Sequence, residues 1–264
     1  EWKGVKINIV DTPGHADFGG EVERILSMVD GAIVLCDAAE GPLPQTKFVL
    51  TKALARGLKP IVVINKVDRQ DARPDEVHNE VFDLFAALGA TDEQLDFHTM
   101  FASGRQGWAD LTMDGPRKDL SPMFDLILSH VPAPKVDLDK PFAMNASILE
   151  ADNFLGRILT GRIEQGTAKV NMPVRVLRQD GTVVETGRLT KLMTFSGLDR
   201  VPVEEVQAGD IIAIAGLSDA TIPDTIASPE VTEPLPAIPV DPPTLSMTFR
   251  INDGPLGGLS LIHI

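Results

Sequence analysis

Two short runs, residues 32–36 and 60–64, are almost wholly apolar, and each directly follows a stretch with helical spacing. That alternation constrains the fold more than any other feature of the chain. The first run is preceded by Val22, Ile25, Leu26 and Met28, the second by a helical stretch over 46–56 that Gly57 ends. A strand that is apolar on both sides must be covered on both faces, and helices in the connections do the covering. Val77, Val81, Leu84, Phe85 and Leu88 mark one face of a third helix, a further strand leads to Phe101, Ala102 and Ser103, and a last helix over about 122–131 stops before Pro132 and Pro134. The expectation is an α/β domain over residues 1–135, a mostly parallel sheet with helices on both faces.

Ahead of these units, residues 5–10 (Val-Lys-Ile-Asn-Ile-Val) alternate apolar and polar side chains as a strand does, and then meet the turn Asp11-Thr12-Pro13-Gly14. After Pro141 the character changes. Short β-rich runs follow at 144–149, 157–163, 174–177 and 183–186, with Asp180-Gly181 as a tight-hairpin signal between the last two. Strands this short with frequent glycines predict an antiparallel β-barrel over 136–222, since closure removes exposed edges. Seven prolines between 221 and 244 read as a semi-rigid connector, placed at 223–243. Residues 244–251 alternate again, as the first strand of a truncated α+β domain over 244–264 would.

A length of 264 residues suffices for two cores. No apolar run is long enough to span a bilayer, and residues 1–10 lack the layout of a signal peptide, so no membrane partner is expected and a cytoplasmic location is the default. The formal charge of −14 argues against broad affinity for nucleic acid. DNA is therefore not an expected partner, and an RNA would have to be met through a local surface. The single cysteine, Cys36, sits among Ile33, Val34 and Leu35 and reads as a small buried hydrophobe. The five histidines are scattered, without the spacing of a structural zinc site.

Nucleotide hydrolysis on such a sheet needs groups at the carboxyl ends of the strands for phosphate and magnesium, for the attacking water and for the base. Asp11 is placed to reach Mg²⁺, through one of the waters that this ion is reluctant to release. Gly14 lets the backbone approach closely enough for its N–H to bond a γ-phosphate oxygen. Asp-x-x-Gly is also an ordinary turn, so the tetrapeptide does not discriminate alone. Asn65-Lys66-Val67-Asp68 follows the second apolar run and suits guanine. The Asp68 carboxylate can accept from both the ring N–H and the exocyclic amine, a donor pair that adenine lacks. Lys66 would lay its stem along the base and Asn65 would tie the loop together. Ser103 and Gly104, after the last strand, can close over the guanine carbonyl. In this order the three segments point to a guanine-nucleotide switch.

Three stretches, 11–18 (Asp-Thr-Pro-Gly-His-Ala-Asp-Phe), 41–46 (Gly-Pro-Leu-Pro-Gln-Thr) and 65–68, together resemble the translational GTPases, the superfamily of elongation factor G, elongation factor Tu and LepA. Residues 19–24, 57–69 and 130–134 are more narrowly similar to its TypA/BipA family, and the likeness continues through 161–163 and 208–211. The resemblance implies a monomeric GTPase, with GTP or GDP and Mg²⁺ as ligands, that binds the ribosome near the site shared by elongation factors and acts in stress-linked translation or subunit assembly. It also implies a role for His15, orienting the attacking water when ribosomal RNA docks against it.

Two departures stand against that pattern. The guanine-closing loop of the family reads Ser-Ala-Leu or Ser-Ala-Lys, whereas here it is Ser103-Gly104-Arg105. There is also no Gly-x-x-x-x-Gly-Lys-[Ser/Thr] and no switch threonine. The expectation is that both precede Glu1, that most phosphate contacts are therefore missing, and that this chain alone binds GTP poorly. Residues 248–258 resemble the start of the family's third domain, but 259–264 do not continue it and read as a truncated reading frame or a foreign tail. Two alternatives stay open: a sulfate-activating accessory GTPase of the same superfamily, and a non-catalytic binding module.

Overall fold

The computed structural model describes residues 1–12, 19–237 and 247–248. The first half alternates helix and strand: α1 (Gly19–Ser27), β1 (Ala32–Asp37), α2 (Pro44–Ala55), β2 (Pro60–Asn65), α3 (Pro74–Ala87), α4 (Asp92–Leu95), β3 (His98–Ser103), β4 (Trp108–Asp110) and α5 (Ser121–His130). Proline opens α2 and α3, where its missing N–H costs nothing, and Asp75 and Glu76 add favourable charge to the first turn of α3. Thr91 and Gln94 close a reciprocal cap on α4.

The strands form one sheet in the order β1-β2-β3-β4, the first three parallel and β4 antiparallel. The two faces of β2 explain its uniform apolarity. Val62 and Ile64 join Val34 and Cys36 under α2 and α3, while Ile61 and Val63 join Met100 and Ala102 under α5. Each connecting helix thus buries one side of the sheet. Burial, followed by the charge of Glu80, pushes the Cys36 thiol up to about 11, so it stays a neutral core residue.

Antiparallel strands make up the second half: β5 (Ala143–Asn145), β6 (Ile148–Asp152), β7 (Gly156–Gln165), β8 (Thr167–Lys169), β9 (Pro173–Leu177), β10 (Val183–Arg188), β11 (Lys191–Ser196), β12 (Asp199–Pro202), β13 (Glu205–Gln207), β14 (Ile211–Ala215) and β15 (Thr225–Ala227). The main sheet runs β10-β9-β15-β5-β7-β14-β11-β12, with β6 also on β7, and β13 pairs with β8. It curls around a single core that holds Met144, Leu159, Val176, Leu192, Ile214 and Ile226. The curl is barrel-like, although β10 and β12, the ends of the order, are not paired with each other. Gly161 permits the tight crossing of β7 and β5, because a Cβ there would lie 2.0 Å from the Asn145 carbonyl oxygen.

Several sequence expectations change. Residues 5–10 form no strand beyond a bridge between Trp2 and Val5. A strand needs a ladder partner, and β1 pairs only with β2 among the described residues. The segment instead lies against the barrel, with Lys6 and Asn8 bonded to Asp210. The run 144–149 is two strands, broken at Ala146 and Ser147. Within the stretch read as a connector from 223, Thr225–Ala227 is a fully buried strand laddered to β5 and β9. It occupies a proline-free gap between Pro223 and Pro229, so every ladder donor it needs is present. Residues 238–246 and 249–264, including the expected third domain and tail, lie almost wholly outside the described residues.

The two halves share an interface. Ile25 of α1 and Met28, just past its end, pack on Ile211 with Val10, Ile148 and Phe195 around them. Arg162 Nη1 bonds Asp30 Oδ1 at 2.8 Å, and Arg24 Nε donates to the Ser147 carbonyl at 3.2 Å.

Candidate functional site: two loops at the carboxyl edge of the sheet

Parallel strands bring their carboxyl ends to one edge, and the register aligns Asp37 of β1 with Asn65 of β2, and Asn65 with Ala102 of β3. Three loops leave that edge side by side. Asn65 ties them together through its carboxamide and its main chain. Its Oδ1 accepts from the Gly104 N–H at 2.9 Å and from the Lys66 N–H at 2.8 Å, and its carbonyl accepts from the Ala38 N–H at 2.8 Å. The Val67 N–H adds a bond to the Ala102 carbonyl at 3.2 Å. A short polar side chain at a strand end thus fixes the separation of the second and third loops.

Lys66 has a φ of 64°, in the left-handed region, which turns the chain sharply out of β2. Asp68, two residues on, is exposed and makes no hydrogen bond or ion pair with a described residue. Its carboxylate is available to a ligand. Ser103 is fully buried, with its Oγ accepting from the Gln106 N–H at 3.3 Å, so it shapes the turn from beneath while Gly104 stays exposed.

One residue of this cluster escaped the sequence reading. Asp37 is 9 % exposed at its side chain; Oδ1 accepts from the Ala39 and Glu40 N–H groups at 2.8 and 3.2 Å, and Oδ2 pairs with Lys66 Nζ at 2.7 Å. Burial alone would raise its carboxyl pKa, but the Lys66 ammonium and the two amides outweigh burial and hold it at about 2. Its only sequence signal is an aspartate ending an apolar run. Nothing in spacing pairs it with a lysine 29 positions away.

The other expected residues lie differently. Asp11 is exposed and follows Val10, which packs toward α1 and the barrel; among the described residues no hydrogen bond or ion pair joins it to Asn65 or Asp68. Gly14 and His15 lie outside the described residues. Gly19, the first described residue after them, is placed by its neighbours. A Cβ at Gly19 would lie 3.1 Å from the Phe48 ring, and Glu23 pairs with Lys52, so α1 and α2 run parallel. Since α2 starts where β1 ends, Gly19 stands at the same carboxyl edge as the loops after β2 and β3. Among the described residues no group of three metal-ligating side chains occurs. Asp11 is a single candidate ligand, which suits Mg²⁺ because that ion commonly takes one or two carboxylates together with phosphates.

The model of the elongation factor Tu GTP-binding domain matches residues 1–133, and that of elongation factor Tu domain 2 matches residues 156–227. The chain belongs to the family of elongation-factor GTP-binding domains. It is similar to the large ribosomal subunit assembly factor BipA of Synechocystis sp., with 51% identity over 252 residues that cover 96% of this chain, and of Salmonella typhimurium, with 51% over 258 residues that cover 98%. The BipA of Haemophilus influenzae is 51% identical over 257 residues, or 97% of this chain. The chain spans 42% of the length of each of these relatives.

Proposed function

We propose that this chain is the base-reading and barrel part of a GTP-hydrolysing factor that works on the ribosome, in assembly of the large subunit. The observation that carries the reading is the Asn65 carboxamide, which joins the Lys66 and Gly104 amides and so presents two loops as one surface beside the exposed Asp68. In this reading Asp68 accepts the two neighbouring N–H groups of guanine, the Gly104 region faces its carbonyl, and the Lys66 stem covers the ring. The kinship with ribosomal assembly factors supports a ribosomal partner over sulfate activation.

Asp11 would hold Mg²⁺ through water, and the bound ion would supply charge neutralisation on the β- and γ-phosphates. Gly14 would give its N–H to the γ-phosphate. His15 would orient the attacking water, a positioning task that needs no strong base. We assign residues 1–135 to the nucleotide domain and 136–222 to the barrel, with β15 of the barrel reaching into the connector.

Displacement of a fluorescent GDP from the full-length gene product tests the base assignment. GDP is expected to compete and ADP to fail at a hundredfold higher concentration. Equal competition by ADP would refute base recognition by Asp68.

A further inference from the structure

Lys66 is fixed at both ends. Its amide is held by Asn65 Oδ1 at 2.8 Å and its ammonium by Asp37 Oδ2 at 2.7 Å, so the stem is stretched from the β2 loop to the end of β1. The two partners are unequal. Lys66 is 56 % exposed at its side chain, whereas Asp37 is 9 % exposed and locked by the Ala39 and Glu40 amides. The carboxylate is therefore the anchor and the lysine the part that is held. Arg69 is no equal competitor, since its Nη1 lies 3.4 Å from the same oxygen while its Nη2 sits 2.7 Å from Asp71.

We propose that Asp37 is a positioning residue for the nucleobase: it holds Lys66 extended along the carboxyl edge before any ligand arrives. The inference rests on the guanine reading above. An exposed lysine left to itself samples many rotamers, and a ligand that needs one of them must bear the cost of ordering it. The clamp removes that cost in advance. The charge needed for it persists at any physiological pH, because Asp37 titrates near 2 and the same bond raises the Lys66 pKa.

A double-mutant cycle on GDP affinity in the full-length gene product tests this. Asp37→Asn keeps an acceptor for the Ala39 and Glu40 amides and replaces the charged oxygen that holds Lys66 with an N–H donor, so it should fold and lose the clamp. It is expected to bind GDP about tenfold more weakly, Lys66→Met at least as weakly, and the double variant no more weakly than Lys66→Met alone. Wild-type affinity in Asp37→Asn, or losses that multiply in the double variant, would overturn the clamp. Should Asp37→Asn melt before it can be titrated, Lys66→Arg is compared with Lys66→Met. The arginine, which can still reach Asp37, should recover most of the affinity, and equal binding by the two would overturn the proposal. A wild-type protein that does not prefer GDP to ADP would instead sink the parent reading.

Discussion

Replacing Asn65 by alanine removes one acceptor oxygen from two backbone donors, Lys66 N–H at 2.8 Å and Gly104 N–H at 2.9 Å. A neutral hydrogen bond contributes about 1 kcal/mol net, and in loops as open as these water can take over both amides. The loss should therefore total about 1–2 kcal/mol, not the larger penalty of stranding buried donors. For a domain of this size that lowers the first-domain midpoint by roughly 4–8 °C and leaves the barrel transition in place. Native-state hydrogen exchange gives the local readout, with the Gly104 amide exchanging about tenfold faster because 1.4 kcal/mol is one decade. Asn65→Asp keeps the oxygen and should recover most of both effects. An Asn65→Ala protein that melts within about 1 °C of the parent, with unchanged exchange at Lys66 and Gly104, would refute the claim that this carboxamide joins the loops.

His130 Nε2 is buried without a partner among the described residues, and burial, followed by His98 at 4.6 Å between ring centroids, holds its pKa below the ordinary histidine value. Protonation is then easier in the unfolded chain. Stability should be full above about pH 6.5 and fall as pH drops through that value, and His130→Gln should flatten the slope of midpoint against pH. Arg162, only 14 % exposed at its side chain, bonds Asp30 and Glu164 at the junction of the two halves. Arg162→Met strands both carboxylates and should cost about 2 kcal/mol in denaturant unfolding. An unchanged unfolding midpoint would show that the pair holds nothing together.

The sheet was legible because its signal is local. A strand as uniformly apolar as β2 has one solution, burial on both faces, and the proline and glycine punctuation of α2 and α3 marks where the covering helices begin and end. The proposed base-reading residues could be picked out for a related reason: Asn65, Lys66 and Asp68 lie within four residues of one strand end. Failures arose where the deciding partner is distant. Residues 5–10 alternate as a strand does, yet extended chain becomes sheet only beside a neighbour, and Lys6 finds its partner 204 positions away in Asp210. Asp37 was missed for the same cause, since only the register of β1 against β2 sets it beside the Asn65 loop. β15 was hidden by composition, because seven surrounding prolines mask a short stretch with every ladder donor intact.

The account turns on whether Asp68 reads the guanine edge. Asp68→Asn replaces one of the acceptor oxygens with an N–H donor, while the residue is exposed and makes no bond with a described residue that the fold would lose. In the full-length gene product this variant is expected to lose GDP affinity by at least a hundredfold and to gain affinity for xanthosine diphosphate, whose 2-carbonyl accepts the new donor. Retention of GDP binding with no gain for the xanthine nucleotide would contradict it.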